Sequence, residues 1–356
     1  MTAPTKVPLA TPISTPSQWL DILLVRIFRA IHTTERDNFD ANRYRGQSQD
    51  DFFAEHHAQY FSFLLRNLAQ FFQTRQLLED EQSRALFDHL VLYRTLGHLH
   101  VRLPFNNPEN RAHLETAESW RVVDTEDAGQ FGPLAIFLAP GISHDIHIKG
   151  WRGNVAATFL YRQYYFSRGG VTVEAGHGDH VIDAGGCFGD TALAFADAVG
   201  DAGHVYVFDP LPMHCAIIGQ TLAMNPALAP RISIYPFGLT DEVNDAPPLP
   251  FDHRINPGAR IEAGIPTLTI DAAVGSHGVS RVDFIKMDIE GSELGALRGA
   301  EASIRRWCPK LAISLYHRPE DFFSIPAWIN SLGLGYRFFL DHYSIHHEET
   351  VLYATL

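Results

Sequence analysis

An α/β fold, with a mainly parallel sheet preceded by helices, is what this sequence of 356 residues predicts. Three observations carry the prediction. His180 to Thr191 reads His-Val-Ile-Asp-Ala-Gly-Gly-Cys-Phe-Gly-Asp-Thr, an apolar run that ends in an acid, breaks into glycines and enters a helical pattern. Short apolar runs and helical periods then alternate as far as Leu332, as strand–helix–strand units do. Last, Tyr336–Leu340 and Thr350–Tyr353 follow each other with no helix between, which predicts an antiparallel hairpin closing the sheet.

Taken in order, Met1 to Pro16 is rich in Thr and Pro and lacks a basic-then-apolar export pattern, so a disordered tail is expected. Ser17 to Thr33 sets Trp19, Leu20, Leu23, Leu24, Ile27, Phe28 and Ile31 at helical spacing behind Ser17, a good N-cap. Its polar face is not strongly basic, which favours packing within the chain or in a homodimer over a membrane surface. Asp50 to Gln76 predicts a second helix with an aromatic stripe (Phe52, Phe53, Tyr60, Phe61, Phe63, Phe71, Phe72), and Leu78 to Leu96 a third. The stripe reads as core. Residues 17–96 are therefore expected to be a mainly helical N-terminal domain.

Residues 97–150 read as a connecting region of short strands: His100–Leu103, Trp120–Val123, Leu134–Leu138 and Asp145–Lys149. Asn106-Asn107-Pro108 and Ala139-Pro140-Gly141 punctuate them. Phe159 to Phe166, aromatic around Arg162 and Gln163, reads either as a lining of the substrate cleft or, in preference, as a packing face.

Residues 151–356 hold the predicted parallel sheet. Strands are expected at Val171–Glu174, before Asp183, at Val205–Phe208, Ile232–Phe237, Val282–Met287 and Leu311–Leu315. Helices are expected at Thr191–Val199, Met213–Met224, Ser292–Arg306 and Pro319–Leu332. The Pro-rich stretch Asp241–Ala263 exceeds an ordinary connection and predicts a loop over the site.

What the glycine turn holds follows from charge. Ala184-x-Gly186-x-x-Gly189 nearly matches a dinucleotide fingerprint, whose glycines admit a pyrophosphate. Asp183 at the strand tip argues against it, since like charges a few ångströms apart repel by several kcal/mol at intermediate dielectric. S-adenosylmethionine, with a sulfonium, an ammonium and no phosphate, suits an acid beside glycine-turn amides. Asp209, about 20 residues past the turn, lies where an acid takes ribose hydroxyls. Asp190, after the last glycine, reads equally as a helix N-cap or a functional acid.

Four segments, Asp-Ala-Gly-Gly-Cys-Phe-Gly-Asp, Phe-Asp-Pro-Leu-Pro, Thr269-Ile270-Asp271 and Lys286-Met-Asp-Ile-Glu-Gly-Ser-Glu293, occur in this order. Together they resemble the FkbM family of S-adenosylmethionine-dependent methyltransferases, over roughly Thr158 to Tyr353. The resemblance implies a class I methyltransferase Rossmann-like sheet, S-adenosylmethionine as cofactor, and O-methylation of a small-molecule or glycan hydroxyl. Asp183, Gly185, Gly186 and Gly189 are expected to hold the methionine portion, Asp209 the ribose, and Asp241 the adenine rim. Asp288, at a strand tip, is the first candidate for the base that takes the acceptor proton, and His317 the second. Many relatives carry an acid two places before that histidine, where this chain has Leu315. A non-catalytic binding module and a nicotinamide-dependent oxidoreductase are the competing readings.

Composition bounds the rest. A hydrophobic content of 46% is ample for a core, and a formal net charge of −13 disfavours nucleic acid as a partner. Three cysteines without paired metal spacing fit a reducing, cytoplasmic setting. The 19 histidines are scattered and form no His-Glu-x-x-His, so no metal site is predicted. No apolar run reaches the ~20 residues of a membrane span.

Overall fold

The structure, a computed structural model, describes residues 13–35, 38, 49–124, 133–244 and 265–356. Most of the expected tail and most of the expected loop Asp241–Ala263 lie outside the described residues. So do the side chains of Phe52 and Phe53.

The central sheet has seven strands: β1 (His180–Ala184), β2 (His204–Phe208), β3 (Ile232–Tyr235), β4 (Phe284–Met287), β5 (Lys310–Ser314), β6 (Arg337–His342) and β7 (Thr350–Thr355). Their order across the sheet is β6-β7-β5-β4-β1-β2-β3, parallel from β5 through β3. β7 runs antiparallel between β5 and β6, so the expected final hairpin is present. The strands are apolar on both faces because both faces are covered. One face (Ile182, Phe208, Ile285, Ile313, Leu340, Leu352) packs against the helices at Pro16–Ala30, Leu68–Leu77, Glu81–Leu96 and Asp321–Ser331. The other (Val181, Val207, Phe284, Ala312, Val351) packs against the helix Asp190–Val199 and a three-stranded antiparallel sheet, Arg121–Asp124, Ala135–Pro140 and Asp145–Gly150.

Buried residues of the N-terminal helices share a core with the sheet. Trp19 is fully buried and donates to Asp88, whose carboxylate also takes the Arg75 guanidinium at 2.8 Å. Beyond β6, Leu78 forms an isolated parallel bridge with Phe338, and Ser83 Oγ accepts from Leu340 N at 2.9 Å. The segment before the helix Glu81–Leu96 therefore covers the free edge of the sheet.

Five local expectations need correction. The first helix is capped by Thr15, with Pro16 at its first turn, rather than by Ser17. The second helix is two, Gln49–Arg66 and Leu68–Leu77, broken where the Asn67 amide donates to Phe63 O and competes with the backbone. Asn106-Asn107-Pro108 starts a helix, Pro108–Ser119: Asn107 accepts from Asn110 N and Pro108 supplies a fixed φ. His100–Leu103 is no strand; the carbonyls of His98 and Val101 are taken by the Asn38 amide. Ser292–Arg306 is two helices, Glu293–Arg298 and Glu301–Trp307, parted where the Gly299 carbonyl accepts from Asp271 N. Among the described residues no helix is long and apolar enough to cross a membrane.

Candidate active site

The carboxyl ends of β1, β4 and β5 face one cleft of about 960 Å³, within the size range of ligand sites. Its floor is the glycine turn after β1. Gly185 has φ +83°, and a Cβ there would fall onto the Asp288 carbonyl oxygen, so this glycine lets the turns after β1 and β4 close on each other. Gly186 packs on Val207, and Gly189, at φ +86°, is the N-cap of the helix Asp190–Val199.

Asp183 does not line this cleft. It is fully buried, with Oδ1 3.0 Å from Lys286 Nζ and Oδ2 accepting from Thr191 Oγ1 at 2.7 Å. Parallel pairing sets Lys286 opposite Asp183, and its ammonium also donates to the carbonyls of Ala184 (3.1 Å) and Gly185 (2.6 Å). Burial opposes the charge, yet Asp183 and Asp288 hold the Lys286 pKa above its ordinary value. The acid facing the cleft on this side is Asp190. Its carboxylate accepts from Thr158 Oγ1 at 2.5 Å, and burial raises its pKa.

Asp209, at the tip of β2, is 3% exposed, and its oxygens accept from Cys187 N (3.0 Å) and Leu211 N (3.0 Å) and meet His214 Nδ1 (2.9 Å). It ties the glycine turn to the turn after β2. Asp241 is exposed and accepts from its neighbour Thr240.

Asp288 and His317 meet at the tips of β4 and β5. Asp288 accepts the hydroxyls of Tyr164 and Tyr316, each at 2.8 Å, and its Oδ1 lies 3.3 Å from His317 Nε2. The ring of His317 is 2% exposed, with Nδ1 2.8 Å from Glu293 Oε1 and Nε2 3.5 Å from Glu290 Oε2. Glu293 Oε1 also accepts from Ile289 N, which fixes the turn. Glu290 and Gly291 stand at φ +56° and +92°, so the chain doubles back and brings Glu290 to the cleft.

The electrostatics separate the two candidates. Burial works against a charged His317, but Glu293, Asp288 and Glu290 raise its pKa to about 9, so it is an imidazolium at neutral pH. Burial would raise the Asp288 pKa, and His317, Lys286 and the two tyrosine hydroxyls outweigh it, holding the carboxyl below its ordinary range. Asp288, Glu293 and His317 each offer a ligand atom within 4.8 Å of the others. The His317 imidazolium pairs with both carboxylates of this group. Nearby Asp321 accepts from Arg318 N; burial and Glu293 push its pKa up to about 7.

The sequence pointed at Asp288, His317 and the glycine turn; the fold brings Asp288 and the glycine turn to one cleft, with His317 buried against Asp288. It did not single out Tyr164, Tyr316 or Thr158. Their only signals were the aromatic run Phe159–Phe166 and the place of Tyr316 next to His317.

A profile for the methyltransferase FkbM domain matches residues 183–338. Among solved structures, a methyltransferase FkbM from Methylobacillus flagellatus KT is similar at 19% identity and a TM-score of 0.52, over 82% of this chain and 60% of that one. This chain thus spans less than two thirds of that protein's length. Fibrillarin from Aeropyrum pernix, solved with S-adenosyl-L-methionine, aligns at 12% identity over 66% of this chain and 99% of that one, with a TM-score of 0.34. An S-adenosylmethionine-dependent O-methyltransferase from Thermotoga maritima aligns at 14% identity over 51% and 61%, with a TM-score of 0.33. No curated protein matches the chain. Residues 183–338 thus match the methyltransferase FkbM domain, the family that the sequence motifs resemble.

Proposed function

We propose that the chain is an S-adenosylmethionine-dependent O-methyltransferase acting on a hydroxyl of a sugar, glycan or natural product. The observation that carries this reading is Asp288: an ionised carboxylate at a strand tip, clamped by two hydroxyls, opening on the same cleft as the glycine turn. The residues fit the donor. Asp190 offers the cleft a carboxylate for the donor's ammonium, and Gly185 and Cys187 line the floor beside it. Gly186 and Gly189 shape the turn from below. Asp209 has three partners already, so its part is to hold the turn, with a ribose hydroxyl reaching it only by displacing one of them. Asp241 remains an adenine-rim contact in this reading.

When bound, S-adenosylmethionine supplies a methyl group on a sulfonium, open to in-line attack by an acceptor oxygen. Asp288 accepts the acceptor's hydroxyl proton, aims that oxygen, and is held ready by Tyr164 and Tyr316. His317 does not serve as the base. Its proton keeps Asp288 ionised in a partly dry site, which makes it a positioning residue. The division at residues 96 and 150, and a cytoplasmic setting consistent with three free cysteines, belong to the same proposal.

Calorimetry with S-adenosylmethionine, S-adenosylhomocysteine and NAD tests the donor, followed by labelled-methyl transfer to a panel of hydroxyl compounds. Binding of both sulfur nucleosides with no NAD response is expected. Tight NAD binding without a response to S-adenosylhomocysteine would overturn the proposal in favour of an oxidoreductase.

A further inference from the structure

We infer that Arg111 and Arg152 form an anion subsite for the acceptor, so that the hydroxyl compound methylated carries a phosphate or carboxylate group. The inference rests on the methyl-transfer reading and deepens it. Arg111 stands on the helix Pro108–Ser119 and Arg152 opens the short helix Arg152–Val155, two elements packed together; both side chains are exposed and line the cleft.

Neither guanidinium has a hydrogen-bond or ion-pair partner among the described residues. Other arginines of this part of the chain are paired: Arg102 with Glu35, Arg121 with Glu118, Arg162 with Glu174, Arg168 with Asp80. In a chain with 41 acids against 28 Lys and Arg, two unanswered guanidiniums in one cleft mark a place where a negative charge is to come from outside.

The surroundings shape the ligand. Trp151, 43% exposed, presents an apolar wall braced edge-on by Phe188, and the partly exposed Asn154 adds an amide beside it. The same cleft carries the carboxylates of Asp288 and Glu290. An acidic acceptor is repelled by those two and drawn to the guanidiniums, whose planar forks suit phosphate and carboxylate oxygens. This bipolar lining orients the molecule, hydroxyl towards Asp288 and anion away from it. The glycine turn lies within the matched family domain, whereas both arginines lie outside residues 183–338.

The test compares wild type, Arg111→Ala/Arg152→Ala and Arg111→Lys/Arg152→Lys by calorimetry, each saturated with S-adenosylhomocysteine. The probes are glucose 6-phosphate, glucuronate and methyl glucoside. For wild type we expect at least tenfold tighter binding of one anionic probe than of the neutral one; which probe wins tells phosphate from carboxylate. The alanine pair should erase that preference, the lysine pair should keep part of it, and S-adenosylhomocysteine affinity should change less than twofold. Equal binding of all three probes to wild type, or a preference that survives the alanine pair, overturns the inference. So does a tenfold loss of S-adenosylhomocysteine affinity in the alanine pair with 5′-methylthioadenosine unaffected, since the guanidiniums then read the donor's carboxylate. A wild type that ignores S-adenosylhomocysteine instead sinks the methyl-transfer reading, and the probe preference is then measured without it.

Discussion

Two carboxylate–cation pairs stand on neighbouring strands of one sheet, and they differ in depth. Asp183 and Lys286 face each other across β1 and β4 at 3.0 Å, with side chains 0% and 2% exposed. Asp288 and His317 meet one step towards solvent, at the tips of β4 and β5, and Asp288 is 23% exposed. The inner pair has every charge answered by protein and fastens the glycine turn to β4. The outer pair keeps one member open to the cleft. Paired charge in this fold is thus a fastener below the strand tips and a reagent above them.

The comparison can be broken from either end. The largest effect is expected at the inner pair. Lys286→Met leaves Asp183 buried and unpaired and should cost about 3–5 kcal/mol of stability in urea unfolding, while Asp183→Asn/Lys286→Met should cost less than Lys286→Met alone. If Lys286→Met is as stable as wild type, the inner pair fastens nothing.

At the outer pair, Asp288→Asn should slow single-turnover methylation by roughly 10²–10⁴-fold, with S-adenosylhomocysteine affinity kept. A large loss of stability with normal turnover would make this pair a fastener too.

The third prediction concerns pH. The folded pKa of His317, about 9, lies above the ordinary 6.5, so its pairing stabilises the fold fully below pH 6.5 and is lost as pH rises through 9. The stability gap between wild type and His317→Gln should therefore shrink between pH 6.5 and 9, by at most about 3.5 kcal/mol at ~1.4 kcal/mol per unit. A gap independent of pH in thermal melts would mean that His317 is held neutral.

The smallest effect is expected at the clamp. Tyr164→Phe and Tyr316→Phe each remove one hydroxyl from Asp288 and should cost about 0.5–1.5 kcal/mol in the same urea assay. They should also raise the apparent pKa of Asp288 in the pH–rate profile, since each lost donor had favoured the carboxylate.

The parallel strands were legible because each is a short apolar run closed by a turn signal, and Asp288 because a strand ends beside it. What the sequence hid is direction. Asp183 and Asp288 read alike, each an acid at the end of an apolar run, yet pairing sets Lys286 across from the first and leaves the second to solvent. A lysine inside an apolar strand needs an acid, but only strand order makes β1, and so Asp183, the neighbour of Lys286. Asp190 looked evenly like a cap or a site, and what settles its place in the cleft is Thr158, 32 positions away. Asn67 and Gly299 break helices through bonds that periodicity does not register.

The covered edge of the sheet also bears on how the chain is made. Ser83 and Leu340 touch across 257 positions, and the helices that bury Trp19 and Phe71 rest on a face completed only by β6 and β7. At ribosomal speeds of about 5–20 residues per second, the first partner waits roughly 13–50 s for the last. Throughout that interval Trp19, Phe71 and Phe87 pack on one another, and the face they share still lacks β6 and β7. An earlier-made part thus closes against a later-made one, and a nascent chain halted before β6 is left with this core open.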